Sequence, residues 1–271
     1  MATNTNKKKK KKKKTSKRNI KQINKKALVF ICAVFLIVAV VLTAVLVERN
    51  VKSNLIHLNK DVAYGIDVSH HNGKISWKTV KDEVDFAFIR VGYRGYKDAN
   101  IYLDSRAKRN LKYANKNEVP IGVYFYSQAI NEEEAEEEAK FLISNIKSYD
   151  ISLPVVIDFE YPSVNGKDTG RLYDANLSRK EKTALINAFC KKVEKAGYTP
   201  GVYASSYMFK YFINTKKLDK DTMIWIADYN KEPSYSSNYD FWQYSRKGNC
   251  KGVPSKYVDT NYWYIEKQNN N

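Results

Sequence analysis

Cysteine is scarce in this sequence, and its scarcity excludes a fold held together by a disulfide framework. The 271 residues include three cysteines, of which Cys32 lies in a long apolar run. Cys190 and Cys250 remain, and a single bridge between them is one interpretation. Cys190 lies on the apolar side of a predicted helix, which favours a buried free thiol instead.

Histidine is equally scarce, with three residues in the chain. His70 and His71 are adjacent, so their side chains diverge, and His57 lies in a polar stretch. The pair does not predict a metal centre, and a nucleophile–histidine–acid triad has no other histidine to use. A Gly-rich phosphate loop of the expected form is also missing. We therefore expect no metal and no cofactor.

Acidic residues are missing from the first 26 positions, which carry 13 lysines and arginines, including Lys7 to Lys14. Without this tail the net charge falls from +18 to +5. Because the basic charge is concentrated in one terminal segment, we do not expect the rest of the chain to bind nucleic acid.

Residues 27–47 contain no charge, proline or glycine over 21 positions. A helix of that length spans about 30 Å, enough to cross the hydrocarbon core of a bilayer. The run is longer than the apolar part of a cleavable signal, and no Ala-x-Ala pattern follows it directly. A buried core helix or a cleaved signal remains the alternative.

The lysine-rich tail predicts an orientation for this span. By the positive-inside rule the tail lies in the cytoplasm, and the chain beyond residue 47 lies outside the cell membrane, which it crosses once. We divide the chain into a tail (1–26), a transmembrane helix (27–47) in contact with lipid, a juxtamembrane linker (48–62), a folded domain (63–267) and a polar end (268–271).

Strand-like apolar runs alternate with helical patterns in the folded domain, which predicts βαβ units and a parallel sheet. The helices become sparse after residue 213. We therefore predict an α/β fold, an irregular (β/α) barrel. The eight candidate strands are Tyr64–Val68, Asp85–Val91, Pro120–Ser127, Pro154–Glu160, Pro200–Ala204, Met223–Ala227, Phe241–Tyr244 and a weaker run at Tyr257–Tyr262.

Two helices carry clear end signals. Asn131 is a predicted cap for a helix that begins with three glutamates, and Ser178 with Glu181 forms a predicted capping box. Gly197 is the predicted stop of the second helix. The acidic residues of the first helix are interpreted as a solvated face.

The stretch 153–160 is a short apolar run that ends in two carboxylates, Asp158 and Glu160. Side chains alternate faces along a strand, so both acids point to the same side. Like charges side by side destabilise a strand, so the pair indicates acid/base chemistry. The alternative is a strand end whose acids are solvated or paired with lysine or arginine.

Further acids lie near the ends of other candidate strands: Asp67 ends the first, Asp228 follows the sixth and Asp259 lies in the last. Since active residues of a barrel lie at the carboxyl ends of its strands, we expect these acids to meet on one rim. Aromatic residues at the same ends suit the C–H faces and hydroxyls of sugars. They are Tyr93, Tyr96, Tyr124, Tyr126, Tyr203, Tyr229, Trp242 and Tyr244.

A series of motifs in this order resembles glycoside hydrolase family 25, the lysozymes that cleave peptidoglycan. The resemblance covers residues 64 to about 264. The motifs are Tyr-Gly-Ile-Asp-Val-Ser (64–69), Asn-Gly-Lys-Ile-Ser-Trp (72–77), Asp-Phe-Ala-Phe-Ile-Arg (85–90), Ile-Gly-Val-Tyr (121–124), Asp-Phe-Glu (158–160), Pro-Gly-Val-Tyr (200–203), Trp-Ile-Ala (225–227), Trp-Gln-Tyr (242–244) and Val-Asp (258–259).

The resemblance implies an irregular barrel of eight strands and five helices that hydrolyses the β-1,4 bond between N-acetylmuramic acid and N-acetylglucosamine in peptidoglycan strands. It implies Glu160 as general acid, Asp158 as the acid beside it, and Asp67 and Asp259 as further cleft carboxylates. Arg90 stands where several members carry lysine. The predicted substrate-binding residues are Tyr124, Tyr126, Arg90, Tyr203, Asp228, Trp242 and Gln243.

We expect the neighbouring acids to raise the pKa of Glu160, so that it is protonated, and Asp158 to stay ionised. Asp158 then acts as a nucleophile, as a base for water, or by steadying the substrate's own N-acetyl group, which is the preferred alternative. The competing functions are a silent peptidoglycan-binding module on the same fold and a hydrolase of other specificity. A chitin-cleaving barrel would repeat its acids along one strand, a pattern not met here. We expect the catalytic domain to be monomeric.

Overall fold

The computed structural model describes residues 29–39 and 61–265, and the chain divides into two units, residues 1–53 and 54–271. In the first unit a helix, α1, covers residues 29–39, and its large apolar side chains are exposed. Among the described residues, no helix combines the length and the apolar character needed to cross a membrane. The ends of the predicted span 27–47 lie outside the described residues, as do the predicted tail, residues 48–60 of the linker and residues 266–271.

The second unit is built on a closed sheet. Eight of its strands form a ring, because the first strand pairs with both the second and the last. One further strand extends the second, and two more form a separate two-stranded sheet. The strands are β1 (Val62–Val68), β2 (Phe86–Arg94), β3 (Ile101–Leu103), β4 (Ile121–Tyr126), β5 (Val155–Asp158), β6 (Ser163–Val164), β7 (Lys167–Asp168), β8 (Pro200–Ser205), β9 (Met223–Ala227), β10 (Phe241–Gly248) and β11 (Val258–Tyr264).

The ring confirms the predicted irregular barrel and its eight strands. Adjacent strands are parallel throughout a series of seven, which runs β1, β2, β4, β5, β8, β9 and β10. β11 is antiparallel to both β10 and β1. The expectation of a parallel sheet is therefore wrong for the strand that closes the barrel.

The helices cover the outside of the parallel part. Asn131 and Ser178 cap α4 and α6 as predicted, and Gly197 adopts a φ of 85° just after α6 ends. Six helices are described in this unit, of which three have ten or more residues. They are α2 (Trp77–Val80), α3 (Ala107–Lys116), α4 (Glu132–Ile146), α5 (Arg171–Asp174), α6 (Arg179–Lys195) and α7 (Ser206–Tyr211).

The barrel interior is filled mainly by aromatic rings. Phe88 stacks on Trp225 with ring centroids 4.3 Å apart, and Phe241 stacks on Trp263 at 5.5 Å. A second apolar layer lies between the strands and the helices. Because the rings occupy the amino-terminal part of the barrel, the polar side chains of the strands collect at the opposite rim.

The acidic face of α4 is not simply solvated, which corrects the sequence interpretation. Glu138 is fully buried and accepts a hydrogen bond from the Arg94 guanidinium at 2.7 Å. Glu134 pairs with Arg171 at 2.7 Å. Charged pairs therefore attach α4 to other elements of the domain.

Cys190 and Cys250 are both buried, and both are free. The structure therefore agrees with a buried thiol at Cys190 rather than with the alternative disulfide.

Candidate active site

The central acid pair, Asp158 and Glu160, lies where β5 ends at the rim of the barrel. Val156 faces the barrel interior, whereas Ile157 and Phe159 pack in the outer layer. Asp158 is therefore directed inward at the end of the strand, where it is 5% exposed. The Phe159 N–H donates to the Tyr203 carbonyl at 2.8 Å, so hydrogen bonding to β8 continues one residue beyond the end of β5. The predicted alternation of faces is confirmed at this strand.

Asp67 and Asp259 come from the first and last strands and are direct partners across the β1–β11 pair. β11 runs antiparallel, so its amino end lies at the same rim as the carboxyl end of β1. Asp67 Oδ2 accepts hydrogen bonds from Gln243 Nε2 at 2.8 Å and from Asn261 Nδ2 at 2.9 Å. Two buried amides thus fix the position of this carboxylate.

All four carboxyls have raised pKa values, and burial is the main cause at each. Burial and the charge of Asp67 raise the pKa of Glu160 to about 7. Burial raises the pKa of Asp67 to about 6, and burial with the charges of Asp67 and Glu160 raises that of Asp259 to about 8. Glu160 therefore keeps a proton up to about neutral pH, although burial contributes more to this than the predicted repulsion.

Asp158 differs from the sequence expectation. Burial and the adjacent charge of Glu160 raise its pKa well above the usual range. The carboxyl is therefore protonated more readily than an ordinary aspartate, which corrects the expectation that Asp158 stays ionised.

Arg90 places a positive charge beside this pair. Its charge lowers the pKa of both Asp158 and Glu160, without outweighing burial. Its side chain bonds to Asp104 Oδ2 through Nε at 2.9 Å and contacts His70 Nδ1 through Nη2 at 2.6 Å. His70 and Asp104 therefore hold the Arg90 side chain in place.

Three of the predicted tyrosines lie with the acids. Burial raises the pKa values of Tyr124, Tyr126 and Tyr203, and the charges of the neighbouring carboxylates add to the effect. Their hydroxyls are therefore neutral donors. Tyr203 donates to Gln243 Oε1 at 2.9 Å, so the amide that holds Asp67 is itself held.

Two predicted substrate-binding residues do not join this group. Trp242 lies on the opposite face of β10 from Gln243, packs with the outer layer, and donates from Nε1 to the Asp228 carbonyl at 2.7 Å. The Asp228 carboxylate accepts hydrogen bonds from the main chain and side chains of Asn230 and Ser234. Burial alone would raise its pKa, but these bonds lower it to about 2. Asp228 therefore organises its own loop.

Asn261 and Asp104 were missed by the sequence reasoning. Asn261 is fully buried and also accepts the Trp225 indole N–H at 2.9 Å. It stands two positions after Asp259 on β11, so the period-two alternation that identified the pair at 158 and 160 would have found it. Asp104 follows the short β3, for which the sequence gives no strand signal.

Four carboxyls with raised pKa values lie together at the rim of an irregular β/α barrel, and they define the fold and site of a glycoside hydrolase. The model of the glycosyl hydrolases family 25 matches residues 66–253, more than half of the sequence. The chain belongs to this family.

Known proteins agree with this assignment. The chain is 28% identical to lysozyme M1 of Streptomyces globisporus over 210 residues, which cover 73% of the chain and 66% of that protein. The autolysin LytC of Streptococcus pneumoniae, solved with a synthetic peptidoglycan ligand, matches with 31% identity and a TM-score of 0.62, over 75% of the chain and 47% of LytC. A family 25 glycosyl hydrolase of Bacillus anthracis matches with 25% identity and a TM-score of 0.60, over 76% of the chain and 92% of that structure. The chain thus spans less than two thirds of the first two proteins.

Proposed function

We propose that this protein is a lysozyme, an N-acetylmuramidase that cleaves the β-1,4 bond between N-acetylmuramic acid and N-acetylglucosamine in bacterial peptidoglycan. The observation that carries the proposal is the acid cluster, in which Glu160 has a pKa of about 7 beside the buried Asp158. The similarity to lysozyme M1 and to the peptidoglycan-bound LytC supports the choice of substrate.

Glu160 acts as the general acid in this proposal. It is partly exposed, whereas Asp158 beside it is buried, so Glu160 is the acid that a substrate can reach. A pKa of about 7 leaves about half of the Glu160 carboxyls protonated at pH 7 and more of them below it, so that they can donate to the leaving glycosidic oxygen. Asp67, whose pKa is about 6, is mostly ionised at neutral pH and contributes negative potential that favours the positive charge developing on the sugar ring.

Asp158 is assigned to the substrate's N-acetyl group. Its Oδ1 atom is buried and has no hydrogen-bond partner among the described residues. A buried acceptor of this kind is costly to leave unpaired, and the amide N–H of an N-acetyl sugar would pair with it. Held in this way, the acetyl carbonyl oxygen attacks the anomeric carbon as the glycosidic bond breaks and the leaving oxygen takes the proton of Glu160. Water, deprotonated by the Glu160 carboxylate, then displaces the acetyl oxygen from the same carbon, so the configuration there is retained. Product NMR that shows inversion would rule out this role.

The test of the proposed reaction is mass analysis of the products released by the full-length chain from purified peptidoglycan. We expect new reducing ends on N-acetylmuramic acid. Glu160→Gln should abolish release, whereas Glu133→Gln, an exposed acid on α4, should leave it unchanged. Reducing ends on N-acetylglucosamine, or full activity of a folded Glu160→Gln chain, would contradict the proposal. Wall binding without release by the unmodified chain would indicate the silent binding module instead.

We also propose that the protein is anchored in the cell membrane, with a cytoplasmic amino terminus and a monomeric catalytic domain that faces the wall. The support is the uncharged sequence of residues 27–47, the lysine-rich tail before it, and the helical residues 29–39 with their exposed apolar side chains. Protease added to intact cells stripped of their wall should remove the domain. Survival of the domain there, but digestion after permeabilisation, would contradict this topology.

A further inference from the structure

The hairpin formed by β2 and β3 carries tyrosines that the proposed mechanism does not use. Tyr93 and Tyr102 are direct partners across the β2–β3 pair. Their rings stack with centroids 5.3 Å apart and planes at 28°. Tyr102 is 38% exposed, a large fraction for a stacked aromatic side chain. The pair therefore presents an aromatic surface to solvent.

This surface is continuous with the acid cluster. Tyr93 is also the register partner of Tyr126 on β4, and the charge of Glu160 is one cause of the raised pKa of Tyr126. The Arg90 guanidinium lies 5.3 Å from the centre of the Tyr93 ring. Neighbouring side chains thus lead from Glu160 through Tyr126 to Tyr93 and Tyr102.

The hairpin is held rigidly. The buried Arg94 guanidinium donates to the Ala99 carbonyl at 2.9 Å and to the Glu134 carbonyl at 3.1 Å, which attaches the turn to α4. Ala99 has a φ of 63°, a left-handed conformation that is unfavourable for a residue with a side chain. A strained turn fixed by a buried arginine indicates that the shape of the hairpin has a function.

The tip of the hairpin adds polar groups to the aromatic surface. The Tyr102 hydroxyl donates to Asp98 Oδ2 at 2.6 Å, and the Asn100 N–H donates to Asp98 Oδ1 at 3.1 Å. The carboxylate therefore fixes the orientation of the Tyr102 ring. A flat ring edged by hydroxyl and carboxylate oxygens matches a sugar, which has C–H groups on its faces and hydroxyls at its rim.

We propose that this surface, the hairpin subsite formed by Tyr93, Asp98 and Tyr102, binds a sugar residue of the glycan strand at a distance from the scissile bond. The inference rests on the proposed function, since the strand that enters the acid cluster is the one that continues over the hairpin. Longer strands should therefore be better substrates than short ones, because they alone occupy the hairpin subsite.

The experiment measures kcat/KM of the full-length chain in detergent on oligomers of alternating N-acetylmuramic acid and N-acetylglucosamine, of increasing length. The unmodified chain should prefer the longest oligomers. Tyr102→Ala should reduce the ratio of long-chain to short-chain kcat/KM by about three- to tenfold, the size expected for a lost aromatic stacking contact. Tyr102→Phe keeps the ring and should preserve most of the ratio.

Tyr113→Ala on α3 is the matched control, because Tyr113 is also 38% exposed and lies near an arginine. It should leave the length preference unchanged. An equal loss in Tyr113→Ala, or a folded Tyr102→Ala chain with the unmodified ratio, would overturn the hairpin subsite. Circular dichroism establishes whether each variant is folded. If Tyr102→Ala does not fold, Tyr102→Leu takes its place.

Binding separates this inference from the proposed reaction. Calorimetry with the longest oligomer on Glu160→Gln chains needs no cleavage. The additional change Tyr102→Ala should weaken binding by about three- to tenfold. If the unmodified chain cleaves no oligomer but binding still depends on Tyr102, the reaction is wrong and the hairpin subsite stands. If cleavage occurs but neither binding nor length preference depends on Tyr102, only the hairpin subsite is wrong.

Discussion

Asp67 is held more firmly than the other acids of the cluster, because two amides from neighbouring strands share one of its oxygens. Gln243 is fixed in turn by the hydroxyls of Tyr203 and Tyr229, at 2.9 and 2.7 Å. The other donor, Asn261, also accepts the Trp225 N–H. The position of this carboxylate is thus set by side chains whose own hydrogen bonds are satisfied.

Asn261→Ala should destabilise the protein and disturb the cluster. The change removes one donor to Asp67 and leaves the buried Trp225 N–H unpaired, which costs about 1–3 kcal/mol of the free energy of unfolding. The pKa of Asp67 should rise further, because a bond that stabilises its ionised form is lost. Urea denaturation checks the first effect and NMR titration of the carboxyl carbons checks the second. A variant with unchanged stability would show that the two bonds contribute little.

Activity should fall as the pH rises through about 7, because Glu160 then loses the proton that it donates. Asp67→Asn removes one charge that raises this pKa, so the alkaline limb should move to lower pH. The displacement should be small, since burial is the larger cause and is unchanged. The pH dependence of kcat/KM, measured for the unmodified chain and for Asp67→Asn, gives the position of the alkaline limb in each. A limb that moves to higher pH in the variant would contradict the assigned cause.

At the scale of elements, α4 is attached to the barrel by charge as well as by apolar packing. Its apolar residues Ala135, Ala139 and Leu142 face the core as expected from helical spacing. Glu138 lies beside this stripe and pairs with Arg94, which comes from the β2–β3 hairpin. The hairpin and the helix therefore stabilise one another.

Glu138→Ala should lower the free energy of unfolding by about 1–3 kcal/mol, because Arg94 Nε would lose its buried acceptor while Glu137 still pairs with the guanidinium at 2.8 Å. Glu133→Ala on the same helix, where the side chain is exposed, should change it by less than about 0.5 kcal/mol. Chemical denaturation of both variants makes the comparison. Equal effects would show that the buried pair contributes no more than a surface glutamate.

These elements show how much the sequence predicts and where it fails. The eight strands and both helix caps follow from alternation, spacing and cap residues, which are local properties. The direction of β11 does not, because alternation is the same in either direction. The burial of Glu138 could not be predicted either, since its partner is 44 positions away on a short hairpin. Trp242 was grouped with Gln243 through a shared motif, although adjacent strand residues face opposite sides.

At the scale of the whole molecule, the acid cluster makes stability depend on pH. The pKa values of Asp67, Glu160 and Asp259 are about 6, 7 and 8 in the folded chain, against about 4 in an unfolded one. Between about pH 4 and pH 8 these three carboxyls therefore bind more protons in the folded chain than in the unfolded chain. Its stability is therefore highest near the acidic end of this window and falls as the pH rises toward 8.

Asp259→Asn should reduce this fall. The amide carries no charge to bury at pH 8, so we expect the variant to be more stable there by about 1–2 kcal/mol, with a much smaller difference at pH 4. Thermal unfolding at both pH values measures the effect, and Asp221→Asn at an exposed position is the control. A variant that loses stability at pH 8 would show that the charge of Asp259 is compensated within the cluster.

The closing strand also determines when the site exists. Asp67 lies on the first strand of the barrel, and Asn261, which holds it, lies 194 positions later on the last. While a ribosome is still making β11, the growing polypeptide has neither a closed barrel nor a complete set of acids. The acid cluster on which the proposed function depends is therefore complete only after β11 has been synthesised.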